Sequence, residues 1–215
     1  MTGHYAALGI VAALLERVRT GKGRRLDISM LEAMCHFNLD SFTHYYSVGE
    51  VMGPLSRPTV SQSYTFACSD GKWIAIHMSS PPKFWEGLVA AVGMPELMTD
   101  PRFAERMARI AHQSELIEIL TPVFAGKTRD EWCEMLLKHE VPHSPAYDSD
   151  EALEDPQAVH LNIKVEAEHP TMGPFTTVRA PYSFDGEADL DVLPPPTLDE
   201  HGAQIRDEVS RRKAG

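Results

Sequence analysis

Apolar residues recur at helical spacing from the first turn of the chain. Tyr5, Leu8, Val11, Ala12, Leu15 and Val18 predict a helix over residues 4–19, apolar enough to be covered on most sides. Thr20-Gly21-Lys22-Gly23 ends it, because glycine takes the left-handed angle of a helix C-cap without strain. Residues 25–28 read as a short strand. Ser29 and Glu32 then stand at capping-box spacing ahead of a second helix running to about Tyr46. Between residues 49 and 63 the periodicity breaks at Gly53-Pro54 and Pro58, which marks a linker.

Beyond the linker, residues 64–68 and 72–78 flank Ser69-Asp70-Gly71 and predict a β-hairpin. Helices are expected at about 82–92, 101–111 and 114–125, the first closed by Gly93. Thr128 and Glu131 form a second capping box, opening a helix with Trp132, Met135 and Leu136 on one face that Val141-Pro142 ends. A short helix over 151–159 and a hairpin of strands 163–168 and 175–179 follow. Residues 185–196 are acidic and proline-rich and read as extended, and a last helix covers about 200–210. The expected organisation is therefore residues 1–50, a linker at 51–63, an α+β domain at 64–150 and a C-terminal segment at 151–215.

Composition narrows the class. Hydrophobic residues at 43% and charged residues at 24% over 215 positions describe a folded globular chain, not a disordered or collagen-like one. The net charge of -11 offers no electrostatic footprint for a nucleic-acid backbone. Cys35, Cys68 and Cys133 are too few and too scattered for a disulfide framework or a thiolate zinc site, which points to the cytoplasm. The longest apolar run, residues 5–15, falls short of the roughly 20 residues that span a bilayer, so no membrane partner is expected.

Two motifs invite chemistry and fail on physical grounds. His139-Glu140-Val141-Pro142-His143 spells HExxH, but zinc binding by that motif needs both histidines on one helix face, and Pro142 breaks the helix between them. Gly21-Lys22-Gly23 lacks the spacing of a phosphate loop and follows a helix, whose C-terminal dipole repels phosphate. No GxSxG, GxGxxG or calcium loop occurs. Periodicity and spacing thus nominate no nucleophile and no metal ligand.

A longer pattern is more specific. Gly3-His4-Tyr5-Ala6-Ala7-Leu8-Gly9-Ile10 through Arg19-Thr20-Gly21-Lys22-Gly23 to Asp27-Ile28-Ser29-Met30-Leu31-Glu32-Ala33 resembles the class III CoA-transferases, the family of formyl-CoA transferase, carnitine CoA-transferase and 2-methylacyl-CoA racemase. Ser69-Asp70-Gly71-Lys72-Trp73, Phe84-Trp85, Asp100-Pro101-Arg102-Phe103, Arg109, Glu131-Trp132, Val141-Pro142, Asp155-Pro156-Gln157 and His169-Pro170 continue it in order. Pro195-Pro196-Thr197-Leu198-Asp199-Glu200-His201 is similar to the family's PP-x-LGEH signature, with Asp199 where glycine is usual.

The resemblance implies an α/β fold: part of a Rossmann-like large domain plus a small α+β domain, forming an interlocked dimer when complete. It implies an acyl-CoA and a carboxylic acid as substrates, with no metal or other cofactor besides the CoA thioester. The nucleophile of the transferases is an aspartate that by spacing would fall just upstream of Met1, so none of the residues here is expected to be catalytic. The CoA-binding candidate is Met30, whose other reading is a core methionine at a strand-to-helix junction. Ser80-Pro81-Pro82-Lys83 stands where the racemases carry a glutamate, which favours transfer over racemisation, and residues 53–63 lack the glycine-rich substrate loop of formyl-CoA transferase. Three roles follow as expectations: a C-terminal part of a CoA-transferase, as a homodimer or paired with its N-terminal half; a non-catalytic subunit of a split enzyme; or a non-enzymatic dimerisation module.

Overall fold

A computed structural model describes residues 1–53, 56, 61–78, 81–188 and 192–214. Residues 54, 55 and 57–60 of the expected linker, Ser80 of the segment before the fourth helix and residues 189–191 of the acidic stretch lie outside the described residues. The chain forms two compact units, Met1–Pro145 and Ala146–Gly215.

The first unit opens with α1 (Thr2–Thr20), which ends as expected at Gly21, whose φ of 72° lets its N–H donate to the Arg17 carbonyl. The next residues are extended but unpaired, so the strand expected over 25–28 does not form: extended backbone becomes a strand only beside a partner. The single helix expected to Tyr46 is two, α2 (Met30–Phe37) and α3 (Leu39–Val48). They meet at Asn38, whose side-chain amide donates to the Met34 carbonyl while its backbone leaves helical angles. Asparagine competes with the helix ladder in this way.

The hairpin of β1 (Ser63–Ala67) and β2 (Trp73–His77) carries the core of the unit. Strand alternation turns Tyr64, Phe66, Ile74 and Ile76 inward. They pack with α4 (Pro82–Val92), α6 (Gln113–Phe124) and α7 (Arg129–Lys138) through Trp85, Leu88, Leu120, Phe124 and Trp132. Phe66 stacks on Phe124 at 4.4 Å between ring centroids, and the Trp132 indole donates to the Phe124 carbonyl. The helix expected over 101–111 begins late: Asp100 holds the turn ahead of α5 (Arg106–Ala111) by accepting from the Arg102 N–H. A third strand, β3 (His143–Ala146), extends the sheet in the order β1-β2-β3. Its His-Ser-Pro-Ala sequence carries no alternation that would mark it as a strand.

In the second unit the helix expected over 151–159 is divided into α8 (Ser149–Ala152) and α9 (Pro156–His160), with Asp155 and Pro156 starting the second. The hairpin β4 (Lys164–His169) and β5 (Gly173–Val178) pairs antiparallel from Lys164↔Val178 to His169↔Gly173. His169 is buried at its tip, where Nδ1 accepts the N–H groups of Thr171 and Met172 and Nε2 donates to the Pro195 carbonyl. Where the stretch read as extended begins, β6 (Ser183–Phe184) and β7 (Glu187–Ala188) form a small hairpin on Asp185 and Gly186, both left-handed as its turn requires. The chain closes with α10 (Gly202–Ala214). The fold is mixed α/β.

Candidate functional site

A cleft with a volume of about 480 Å³ lies between α1 and α2. Gly9 leaves room for the Leu26 side chain, whose end a Cβ there would meet at 2.8 Å. Leu8, Ala12, Ile28 and Ala33 give the cleft an apolar floor, and Tyr5, Asp27, Ser29, Glu32 and His36 supply its polar groups.

The polar groups differ in what they are free to do. Asp27 accepts from the Arg25 guanidinium at 2.7 and 3.0 Å. Ser29 caps α2 by accepting the Glu32 N–H at 3.1 Å, while the Glu32 carboxylate turns back onto the Ser29 hydroxyl. Both carboxylates therefore serve local structure. Tyr5 and His36 instead face one another across the cleft, with the hydroxyl 2.6 Å from Nδ1 and the rings edge to face at 5.3 Å. Thirty-one residues separate them, and neither stands out in the sequence; only the return of the chain through 21–29 joins them. Such a pair can orient a polar group of a ligand whose apolar part lies on the floor.

Met30 is the first residue of α2, beside the Ser29 cap, and is 74% exposed. Among the described residues it joins no core, and no strand forms ahead of it. The HExxH spelling is separated by the backbone. α7 stops at Lys138, Glu140 has a φ of 55°, and His143 lies on β3, so the two histidines share no helix face.

Most residues that carry the family resemblance in the small domain serve its architecture. Burial would raise the Asp70 carboxyl, but the N–H groups of Arg129 and Lys72 donate to it and hold it below the usual carboxylate range. Arg102 forks onto Asp100 and reaches Glu115 at 2.8 Å, and His112 pairs with Glu115 at 2.7 Å. Hydrogen bonding to Arg102 lowers Asp100, and His112 followed by Arg102 lowers Glu115. Asp199, where glycine is usual, takes a φ of 59°, an angle at which glycine carries no penalty.

α1 contributes no buried residue, and Leu8, Val11, Leu15 and the 84% exposed Val18 form an open apolar face. The chain exposes 15461 Å². A folded monomer of 23.9 kDa exposes about 9,900 Å², and two separately folded bodies of this total size only about 12,000 Å². No described helix is long and apolar enough to cross a membrane.

A succinyl-CoA–D-citramalate CoA-transferase of Chloroflexus aurantiacus is 31% identical over 79% of this chain and 42% of its own length. A formyl-CoA:oxalate CoA-transferase of Streptomyces avermitilis is 27% identical over 95% of this chain and 54% of its own. The crystal structure of a CaiB/BaiF family protein from Brucella suis superposes with a TM-score of 0.80 at 30% identity, covering 97% of this chain and 54% of that one. Rv3272 from Mycobacterium tuberculosis gives 0.73 at 26% identity, covering 94% and 53%. The chain spans about half the length of the curated relatives it matches. The profile of CoA-transferase family III matches residues 1–202, and the chain belongs to that family.

Proposed function

We propose that this chain takes part in CoA transfer between an acyl-CoA and a carboxylic acid as the C-terminal portion of a transferase, with the nucleophilic aspartate supplied by residues outside these 215. The observation that carries this reading is the open apolar surface of α1–α3, which calls for a protein cover, in a chain that spans about half the length of its relatives. The relatives' names support the substrate class, each naming CoA transfer to or from a carboxylic acid.

The chemistry needs a carboxylate and balances without an oxidant or a metal. An enzyme carboxylate attacks the acyl-CoA carbonyl, forming a mixed anhydride and releasing CoA thiolate. The thiolate attacks the enzyme's own carbonyl, giving an enzyme-CoA thioester and freeing the first acid. The acceptor carboxylate repeats the two steps in reverse order and leaves as the new acyl-CoA. In this reading the α1–α2 cleft and Met30 form one wall of the CoA side, with Tyr5 and His36 orienting polar groups there. Pro81, Pro82 and Lys83 at the start of α4 bring no carboxylate for abstracting an α-proton, which supports transfer over racemisation. The assembled enzyme is a cytoplasmic dimer, either of the complete chain or of paired halves.

The test is a mass measurement followed by an assay. Protein recovered from the native source with an antibody to α10 is sized intact and incubated with succinyl-CoA, acetyl-CoA or formyl-CoA and a panel of mono- and dicarboxylates. The expected result is a new acyl-CoA from the native assembly, an enzyme intermediate trapped by hydroxylamine, and no turnover from the 215-residue chain alone. A native assembly that moves CoA to no acid overturns the reading. Turnover by the isolated chain overturns the placing of the nucleophile.

A further inference from the structure

A second cluster lies inside the small domain. Arg109 of α5 is 6% exposed, and its hydrogen bonds run from Nε to the Gln62 side-chain oxygen at 3.1 Å and from Nη1 to the carbonyls of Phe103 and Ala104 at 2.7 and 3.0 Å. Among the described residues no carboxylate pairs with it. Glu105 acts on it only through space, and Arg106 adds further positive charge. The guanidinium sits over the Trp85 ring, 4.6 Å from its centroid. A buried cation held by neutral carbonyls and an indole face has no directly bonded anion among the described residues.

Three further donors belong to residues that interact with it. The Gln62 side-chain nitrogen, the Tyr64 hydroxyl and Trp85 Nε1 are all buried without a hydrogen-bond partner. The Gln62 nitrogen belongs to the amide whose oxygen Arg109 holds, and Trp85 Nε1 is part of the ring beneath the guanidinium. Tyr64 feels the charge as well: burial pushes its hydroxyl up to about 12, and Arg109 pulls against that rise. Gln62 is 1% exposed and keeps its place at a left-handed φ of 48°, an angle glutamine seldom adopts.

We propose that Gln62, Tyr64, Trp85 and Arg109 form a binding site for a small carboxylate within the small domain, a site separate from the α1–α2 cleft. A single water could satisfy donors here but would leave the buried cation without a directly bonded anion. A carboxylate answers both, accepting from several directions through two oxygens while neutralising the guanidinium. A halide offers the charge without the planar pair of acceptors.

The experiment uses the 215-residue chain and its three indole N–H resonances. Acetate is titrated at constant ionic strength against chloride, with the Trp85 signal assigned by Trp85→Phe. Trp132, whose indole already donates to Phe124, and exposed Trp73 are internal references. The expected result is a saturable shift of the Trp85 signal with acetate alone, about tenfold weaker binding in Tyr64→Phe, and none in Arg109→Lys. A Trp85 shift no larger with acetate than with chloride overturns the site, as does equal affinity in Tyr64→Phe. Should Arg109→Lys fail to fold, Tyr64→Phe decides alone, because it removes one hydroxyl and keeps the ring in the core. The readout needs no turnover, so its failure and that of the CoA-transfer reading are distinguishable.

Discussion

Gly87 on α4 passes under the carbonyl oxygen of His139, the residue that ends α7, so closely that a Cβ at position 87 would lie 2.4 Å from that oxygen. The obstructing atom is backbone and cannot rotate aside. Gly87→Ala is therefore expected to destabilise the small domain by about 1–3 kcal/mol through overpacking, despite alanine's better helix propensity. Urea unfolding followed by tryptophan fluorescence checks this; an unchanged midpoint would mean that α4 and α7 are not packed this closely.

Acid is expected to loosen the same domain. Asp70, Asp100, Glu115 and Glu131 are all held below their ordinary carboxyl values, 3.8 for the aspartates and 4.5 for the glutamates. A carboxyl whose folded pKa is depressed contributes stability that is present above its unfolded value and lost as pH falls through the folded one. The urea midpoint should hold from pH 7 to about 5 and fall below about 4.5. Arg102→Gln, which removes the fork onto Asp100 and the contact with Glu115, should flatten that fall.

Asp199 offers a test in the opposite direction. Its left-handed backbone costs about 1 kcal/mol relative to glycine, while its exposed pair with Arg206 at 3.0 Å returns only a few tenths. Asp199→Gly should raise the hydrogen-exchange protection of α10, and Asp199→Ala, which loses the pair and keeps the strain, should lower it. Equal protection in both variants would show that the angle at 199 carries no strain.

The open face of α1 should govern how the isolated chain behaves. Replacing Leu8, Val11 and Leu15 together with lysine is expected to lower the binding of a hydrophobic dye and reduce self-association in sedimentation, leaving the small-domain unfolding midpoint unchanged. None of the three enters the small-domain core. Undiminished dye binding would place the sticky surface elsewhere.

What was legible in the sequence was local. Gly21 and Gly93 end helices, Thr128 and Glu131 cap one reciprocally, and Asp70-Gly71 turns a hairpin whose alternation points Tyr64, Phe66, Ile74 and Ile76 inward. Each of these depends on angles and hydrogen bonds within a few residues. The family was legible too, because its pattern runs through these turns and caps.

Tertiary structure decided the rest, because pairing partners and solvent access are not encoded within a short window. Residues 25–28 have strand character without a neighbouring strand, whereas residues 143–146 lack it and pair in the sheet. Helix α1 reads as covered on most sides, yet among the described residues nothing buries it. Tyr5 meets His36, and Gln62 meets Arg109, only because the chain folds back on itself. The sequence by itself determined the turns, the caps and the family; which of its polar groups are buried together, and which apolar ones are left open, required the fold.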